Sequence, residues 1–118
     1  MSQEIYNIVK AKITTDDMKA FKAQAKRMVD AAQREYGTLF YDFFINEENK
    51  DVLIVEKYTD AKAFMAHMDQ FMRPDLIPQI LTMQEIVSIE IPGLVSSKMK
   101  DFFAQGGFTY NAYPINVQ

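Results

Sequence analysis

The segment Thr38 to Asn46, TLFYDFFIN, is the strongest constraint on how this chain can fold. With the period of a strand, Leu39, Tyr41, Phe43 and Ile45 fall on one face and Phe40, Asp42 and Phe44 on the other. Large apolar groups therefore stand on both sides. An antiparallel sheet with helices on one side ordinarily shows water a polar second face. Here the second face also calls for cover, either by the C-terminal tail or by another subunit.

The rest of the chain supplies the partners of that strand. Asp51 to Tyr58 (DVLIVEKY) has the same strand character and follows a polar connector, Glu47 to Lys50, in which Asn49 suits a turn, so the two segments read as a hairpin. Upstream, Ile5 to Ile13 (IYNIVKAKI) reads as a strand. The period then changes: Met18, Phe21, Ala25, Met28, Ala32 and Tyr36 recur every three or four residues, opposite a face rich in Lys and Arg. Thr14 or Thr15 is the expected cap, Asp16 and Asp17 suit the first turn, and Gly37 is the expected stop. Downstream, Thr59 or Asp60 opens a second helix with Ala61, Phe64, Met68 and Phe71 as its apolar row. Arg73 to Pro78 interrupts it with two prolines, and Met83 to Ile91 returns to strand character. Ser96 to Gln105 reads as a short helix, Gly106 and Gly107 as a break, and Phe108 to Tyr113 as a short strand or arm.

Strand, helix, strand, strand, helix, strand predicts an α+β fold. It is satisfied by a ferredoxin-like antiparallel sheet of four strands with both helices on one face. At 118 residues the chain fits one domain, with a core over about 5–91 and a C-terminal extension over about 94–118. Thirteen Lys and Arg against sixteen Asp and Glu give a net charge of −3, which argues against nucleic acid as a partner. The chain has no cysteine and one histidine, so thiolate chemistry is excluded and no metal site is expected. The first residues lack a basic leader with an apolar run, and no segment has the roughly 20 apolar residues that span a bilayer. A cytoplasmic protein without a membrane partner is expected.

The stretch REYGTLFYDFFINEENKDVLIVEKYTDAKAFMAHM, Arg34 to Met68, resembles the antibiotic biosynthesis monooxygenase-like (ABM) domains of the dimeric α+β barrel superfamily. In that family an acidic residue and a glycine precede the second strand, a glutamate closes the third, and an alanine-rich turn leads to a histidine. The matching positions are Glu35 and Gly37, then Glu56, then Ala61, Ala63, Phe64 and His67; Tyr36 departs from the small residue or proline that is commoner there. The resemblance covers roughly Ile5 to Ile91 and implies a homodimer formed by sheet-to-sheet packing, each subunit keeping a pocket between sheet and helices. It further implies a cofactor-independent monooxygenase that oxidises a small phenolic or hydroquinone-like aromatic with dioxygen, using no flavin, haem or metal. The alternative is a non-catalytic dimeric domain that binds a small apolar molecule or serves as an accessory. Tryptophan, frequent in pockets of the family's oxygenases, is absent, and no histidine follows His67 where the haem-degrading members have one.

His67 lies three residues after Phe64 and four before Phe71, beside the buried stripe of its helix. An imidazole there can accept a phenolic proton as general base, or simply tie the helix to a carbonyl. Asn7 stands in the apolar row of Ile5 and Val9, where an amide must be paired or put to use. Tyr58 completes the expected catalytic set by orienting oxygen atoms. Tyr6, Tyr41, Phe43, Phe64, Met68 and Met72 are the expected substrate-binding residues, the methionines belonging to a set (Met18, Met28, Met65, Met68, Met72 and Met83) whose first role is core filling. Asp42 and Glu56 are expected to face solvent or pair with lysines.

Overall fold

The computed structural model describes residues 3–118. A five-stranded sheet of order β2-β3-β1-β4-β5 carries its helices on one face. The strands are β1 (Ile5–Ile13), β2 (Thr38–Asn46), β3 (Asp51–Tyr58), β4 (Gln84–Pro92) and β5 (Asn111–Tyr113). The helices are α1 (Met18–Ala32), α2 (Ala61–Phe71), the single turn α3 (Ile77–Ile80) and α4 (Ser97–Gly106). The first four strands are antiparallel neighbours, as the ferredoxin-like order requires. The four-stranded expectation needs one correction: β5 adds to β4 in parallel, so the C-terminal extension enlarges the sheet. Among the described residues no helix is long and apolar enough to cross a membrane.

Several boundaries differ for local reasons. Asp17, rather than Thr14 or Thr15, caps α1, its carboxylate accepting from the Ala20 amide at 2.9 Å, while Thr15 accepts from the Asp17 amide. The helix ends at Ala32, so Tyr36 leaves the buried stripe and lies fully exposed. In β2 the ladder shifts between Thr38 and Phe40. That irregularity turns Leu39 outward, while Tyr41, Phe43 and Ile45 keep the helix-facing side.

The core lies between the helices and the inner face of the sheet. Ile5, Val9, Ala11 and Ile13 of β1 and Val52 and Ile54 of β3 meet Phe21 and Met28 of α1 and Phe64, Met68 and Phe71 of α2. Gln24, buried on α1, donates to the Asp75 carbonyl at 2.7 Å and so ties the segment before α3 to the body. Ser96 caps α4, and Gly107, at φ 73°, ends it in the left-handed conformation that favours glycine. Met99 and Phe103 of α4 are buried, and Phe103 packs on Phe64 of α2.

The outer face carries Ile8, Leu53, Val55, Phe40, Phe44 and Val87. Phe40, Phe44 and Val87 are 44%, 51% and 68% exposed. The C-terminal tail does not cover them: it runs alongside β4, and residues 114–118 are themselves exposed.

Candidate functional site

Strand alternation places Asn7 of β1 and Glu56 of β3 directly opposite one another on the inner face, with Tyr41 of β2 opposite Glu56 in turn. Helix α2 lays His67 above them, one turn before Phe71, whose ring stacks on the imidazole at 3.9 Å between centroids. His67 is 1% exposed and Glu56 4%. A row of polar side chains is thus closed within an otherwise apolar core.

Its hydrogen bonds give each member a different position. His67 Nδ1 lies 2.6 Å from Glu35 Oε1, which also accepts from the Thr38 hydroxyl at 2.7 Å. With a carboxylate at Nδ1 the ring proton belongs there, leaving the Nε2 lone pair free. Nε2 points to Glu56 Oε1 at 3.9 Å, beyond direct hydrogen bonding. That oxygen accepts from Tyr58 Oη at 2.5 Å and from Asn7 Nδ2 at 3.1 Å. Three polar atoms of the described residues are buried without a partner: Asn7 Oδ1, Glu35 Oε2 and Gln84 Oε1.

Burial pushes the Glu56 carboxyl above the usual carboxylate range; His67, Tyr58 and Asn7 each draw it back, and nearby Glu35 adds to the rise. The Tyr41 and Tyr58 phenols are pushed well above their ordinary value, first by burial and then by the negative charge of Glu56. Both therefore stay protonated and neutral.

A cavity of about 70 Å³ opens beside this row. Asn7, Tyr41, Glu56 and His67 are among its lining residues, and Phe102, Phe103 and Phe108 from the extension form part of its wall. Ligand pockets commonly run to about 300–1,000 Å³, so in this conformation the space is well below that range and takes only a few atoms. A wider groove of about 750 Å³ lies beside the C-terminal tail, lined by Tyr6, Leu94, Ile115 and their neighbours, without any of the buried polar row. The smaller space is the one that the buried polar row borders.

Of the expected site residues, the fold brings together His67, Asn7, Tyr41, Met68 and Met72 on the cavity wall. Tyr58 stands just behind, reaching the cavity through Glu56. Phe64 supports Tyr58 and α4 from within the core, and Phe43 packs against Phe21 and Tyr41 away from the opening. Tyr6 requires correction: it projects to the opposite side of the sheet, under the Lys57 ammonium at 5.4 Å. Of the methionine set, Met28, Met68 and Met72 line the cavity and the others do not.

Glu56 is the larger correction. The expectation of a solvent-facing or lysine-paired side chain fails because it shares the inner row of Val52, Ile54 and Tyr58. Asp42 is opposite Val55, on the other face, and accepts from the Phe43 amide. The rule that singles out Asn7, a polar side chain in an apolar alternating row, also applies to Glu56. Glu35 lies in an irregular turn, where no periodicity reveals it. Among the described residues no group of three or more His, Cys, Asp or Glu is arranged to hold a metal ion.

Comparison with solved structures places the architecture. MupZ from Pseudomonas fluorescens superposes with a TM-score of 0.79 at 19% identity, over 99% of this chain and 93% of that one. SnoaB from Streptomyces nogalater, a cofactor-independent oxygenase solved as its N63A mutant, gives 0.63 at 11% identity over 81% and 95%. An antibiotic biosynthesis monooxygenase assigned in Nitrosomonas europaea gives 0.60 at 20% over 75% and 89%. At these identities the likeness is one of fold. A comparison with curated proteins finds no match. The sequence model of the antibiotic biosynthesis monooxygenase family, by contrast, matches residues 4–73, more than half the chain and the whole span from β1 through α2. That span holds Asn7, Glu35, Glu56 and His67, and the chain belongs to this family.

Proposed function

We propose that the protein is a cofactor-independent monooxygenase acting on a small phenol or hydroquinone. The observation that carries this reading is the buried Glu35–His67 pair, in which Glu35 engages Nδ1 and His67 lines the cavity, leaving Nε2 as the base. His67 Nε2 takes the phenolic proton. The electron-rich phenolate passes one electron to dioxygen, and substrate radical and superoxide join through a new C–O bond at a ring carbon that carries hydrogen, para in a phenol and ortho in a hydroquinone. Loss of water then leaves a carbonyl there. The sum is phenol plus dioxygen to para-quinone plus water, or hydroquinone plus dioxygen to hydroxyquinone plus water, with one atom of the dioxygen in each product. In this reading the substrate supplies every electron, so no flavin, haem or metal takes part. The protein contributes position and charge stabilisation. Asn7 Oδ1, a buried acceptor without a partner, receives a second substrate hydroxyl, and Tyr58 acts through Glu56.

The same reading makes the working unit a homodimer closed sheet to sheet. Support comes from the uncovered apolar row of Phe40, Phe44 and Val87. The net charge of −3 supports a small aromatic molecule over nucleic acid as ligand.

The test is oxygen uptake with 1,4-hydroquinone, followed together with quinone absorbance. Turnover by the wild type and a loss of about 10²–10⁴-fold in His67→Ala are expected for a removed general base. Unchanged turnover in the variant removes His67 from the role, and ligand binding without oxygen uptake assigns the chain to the non-catalytic, small-molecule-binding alternative.

A further inference from the structure

We propose that the same cavity catalyses a reaction needing no oxygen: proton transfer in a small α-hydroxy ketone, with His67 as the base and the Glu56 carboxyl as donor to the enolate oxygen. The inference shares His67 Nε2 with the proposed function but rests on the two carboxyl groups, which have different surroundings.

Glu35 has the imidazole Nδ1 and the Thr38 hydroxyl as donors, and serves as the positioning residue of the base. Among the described residues Glu56 has no cation within hydrogen-bond reach. Its Oε1 holds two neutral donors, Tyr58 Oη and Asn7 Nδ2, and the imidazole stays 3.9 Å away. With the imidazole neutral and ready as base, two buried carboxylates would face each other uncompensated, so a proton on Glu56 relieves the cluster. Burial favours that neutral form as well. With Oε1 occupied by two donors, the proton belongs on Oε2. A carboxylic acid kept neutral in apolar surroundings and backed by a tyrosine is an effective donor to a developing enolate.

The orphaned atoms and the size of the space narrow the substrate. The carbonyl oxygen receives the Glu56 proton, and the adjacent hydroxyl donates to Asn7 Oδ1, which no group of the described residues satisfies. The neighbouring wall, Val9, Ile54, Met68 and Ile89, is apolar and takes a short hydrocarbon body. At about 30 Å³ per liquid water, a cavity of about 70 Å³ has the room of roughly two waters, so the substrate is among the smallest α-hydroxy ketones, such as acetoin.

The step balances without a co-reactant. His67 Nε2 removes the hydrogen of the hydroxyl-bearing carbon, the C–H electron pair becomes the C=C bond of an enediol, and the carbonyl oxygen takes the Glu56 proton. Return of a proton from His67 to the same carbon, with the enol oxygen giving its proton back to Glu56, restores the ketone with its hydrogen exchanged for solvent, and the configuration is lost when the enediol turns over or leaves the site before reprotonation. Return to the neighbouring carbon shifts the carbonyl, and Glu56 recovers its proton from the hydroxyl that becomes the new carbonyl. Nothing is oxidised or reduced.

The test uses the full-length protein and (R)-acetoin in D₂O under nitrogen, following loss of the methine proton by NMR and loss of enantiomeric excess. Wild-type exchange should exceed that of His67→Gln by about 10²-fold or more, and Glu56→Gln should lose about 10²-fold if the donor is required, each variant being checked for native circular dichroism. A second measurement does not depend on those variants: wild type should exchange acetoin at least about tenfold faster, relative to the buffer reaction, than 3-pentanone, which lacks the hydroxyl. Asn7→Leu should erase that preference. Methine exchange no faster than buffer, exchange unaffected by Glu56→Gln, or equal enhancement of both ketones overturns the proposal. Exchange without oxygen uptake from quinols leaves this activity standing and removes the oxygenase; uptake without exchange does the reverse.

Discussion

Gly37→Ala tests the joint on which the site is built. Gly37 precedes β2 and lies against the first turn of α2. A Cβ added there would fall far inside the contact distance of the Ala63 Cβ, and at 3.2 Å from the Thr59 hydroxyl oxygen. Carbon atoms rest about 3.5–4.0 Å apart, so α2 and the turn must separate by about 1 Å or more. Neither side yields readily: the Ala63 Cβ has no rotamer to change, and the Gly37 carbonyl is held by the Thr59 amide at 2.9 Å. Overpacking of this kind costs about 1–3 kcal/mol. A loss near 2 kcal/mol should lower Tm by roughly 6–12 °C in a domain of this size. Ala63 and His67 are one helical turn apart, and Glu35 lies two residues before Gly37, so the same displacement stretches the Glu35–His67 hydrogen bond. Urea unfolding followed by circular dichroism measures the stability. The imidazole NMR signals report the bond directly, because the chain has a single histidine. Ala63→Gly should cost up to about 1 kcal/mol alone yet rescue Gly37→Ala. A wild-type midpoint for Gly37→Ala, or two effects that add within about 0.5 kcal/mol in the double mutant, would refute the steric argument.

The raised Glu56 carboxyl carries a sign that can be checked. Its folded pKa lies above the unfolded value, so its contribution to stability is fully present below about pH 4.5 and is lost as pH rises through the folded pKa. Stability of the wild type relative to Glu56→Gln should therefore fall on raising the pH from 4.5, by at most about 1.4 kcal/mol per pH unit, in urea midpoints measured across that window. Tyr58→Phe removes the donor 2.5 Å from Glu56 and should cost about 1.5–3 kcal/mol, and markedly less in a Glu56→Gln background; equal costs in both would deny the coupling. Phe44→Glu on the uncovered sheet face should convert a dimer to a monomer in light scattering, and a wild type that is already monomeric removes the sheet-to-sheet interface.

The elements themselves were legible because each depends on near neighbours. The two-sided apolar character of TLFYDFFIN, the change of period after Ile13 and the Asp60 cap of α2 rest on contacts a few residues apart, and they suffice for the order of the ferredoxin-like sheet. His67 and Asn7 could be singled out by the same logic, as polar groups beside or within apolar rows. Errors arose where a short-range reading met a local irregularity, as at Leu39 beside the ladder shift, or where a face had to be chosen, as for Tyr6. The parallel addition of β5 lay beyond such a reading, since pairing of the tail with β4 joins segments some twenty residues apart.

The order of apolar and polar residues along the chain is enough to bury one face of each strand and one stripe of each helix, since side-chain direction follows from the backbone period. Which buried polar groups meet is settled by the folded arrangement. Glu35 reaches His67 across 32 positions, and Asn7 reaches Glu56 across 49. Those distances depend on strand register and on how closely α2 can approach Gly37, and neither is a property of any short segment. The cluster, with its two unlike carboxyls and its unpartnered Asn7 oxygen, exists because closure of the core removes water from groups that are far apart in the chain and leaves them only one another as partners.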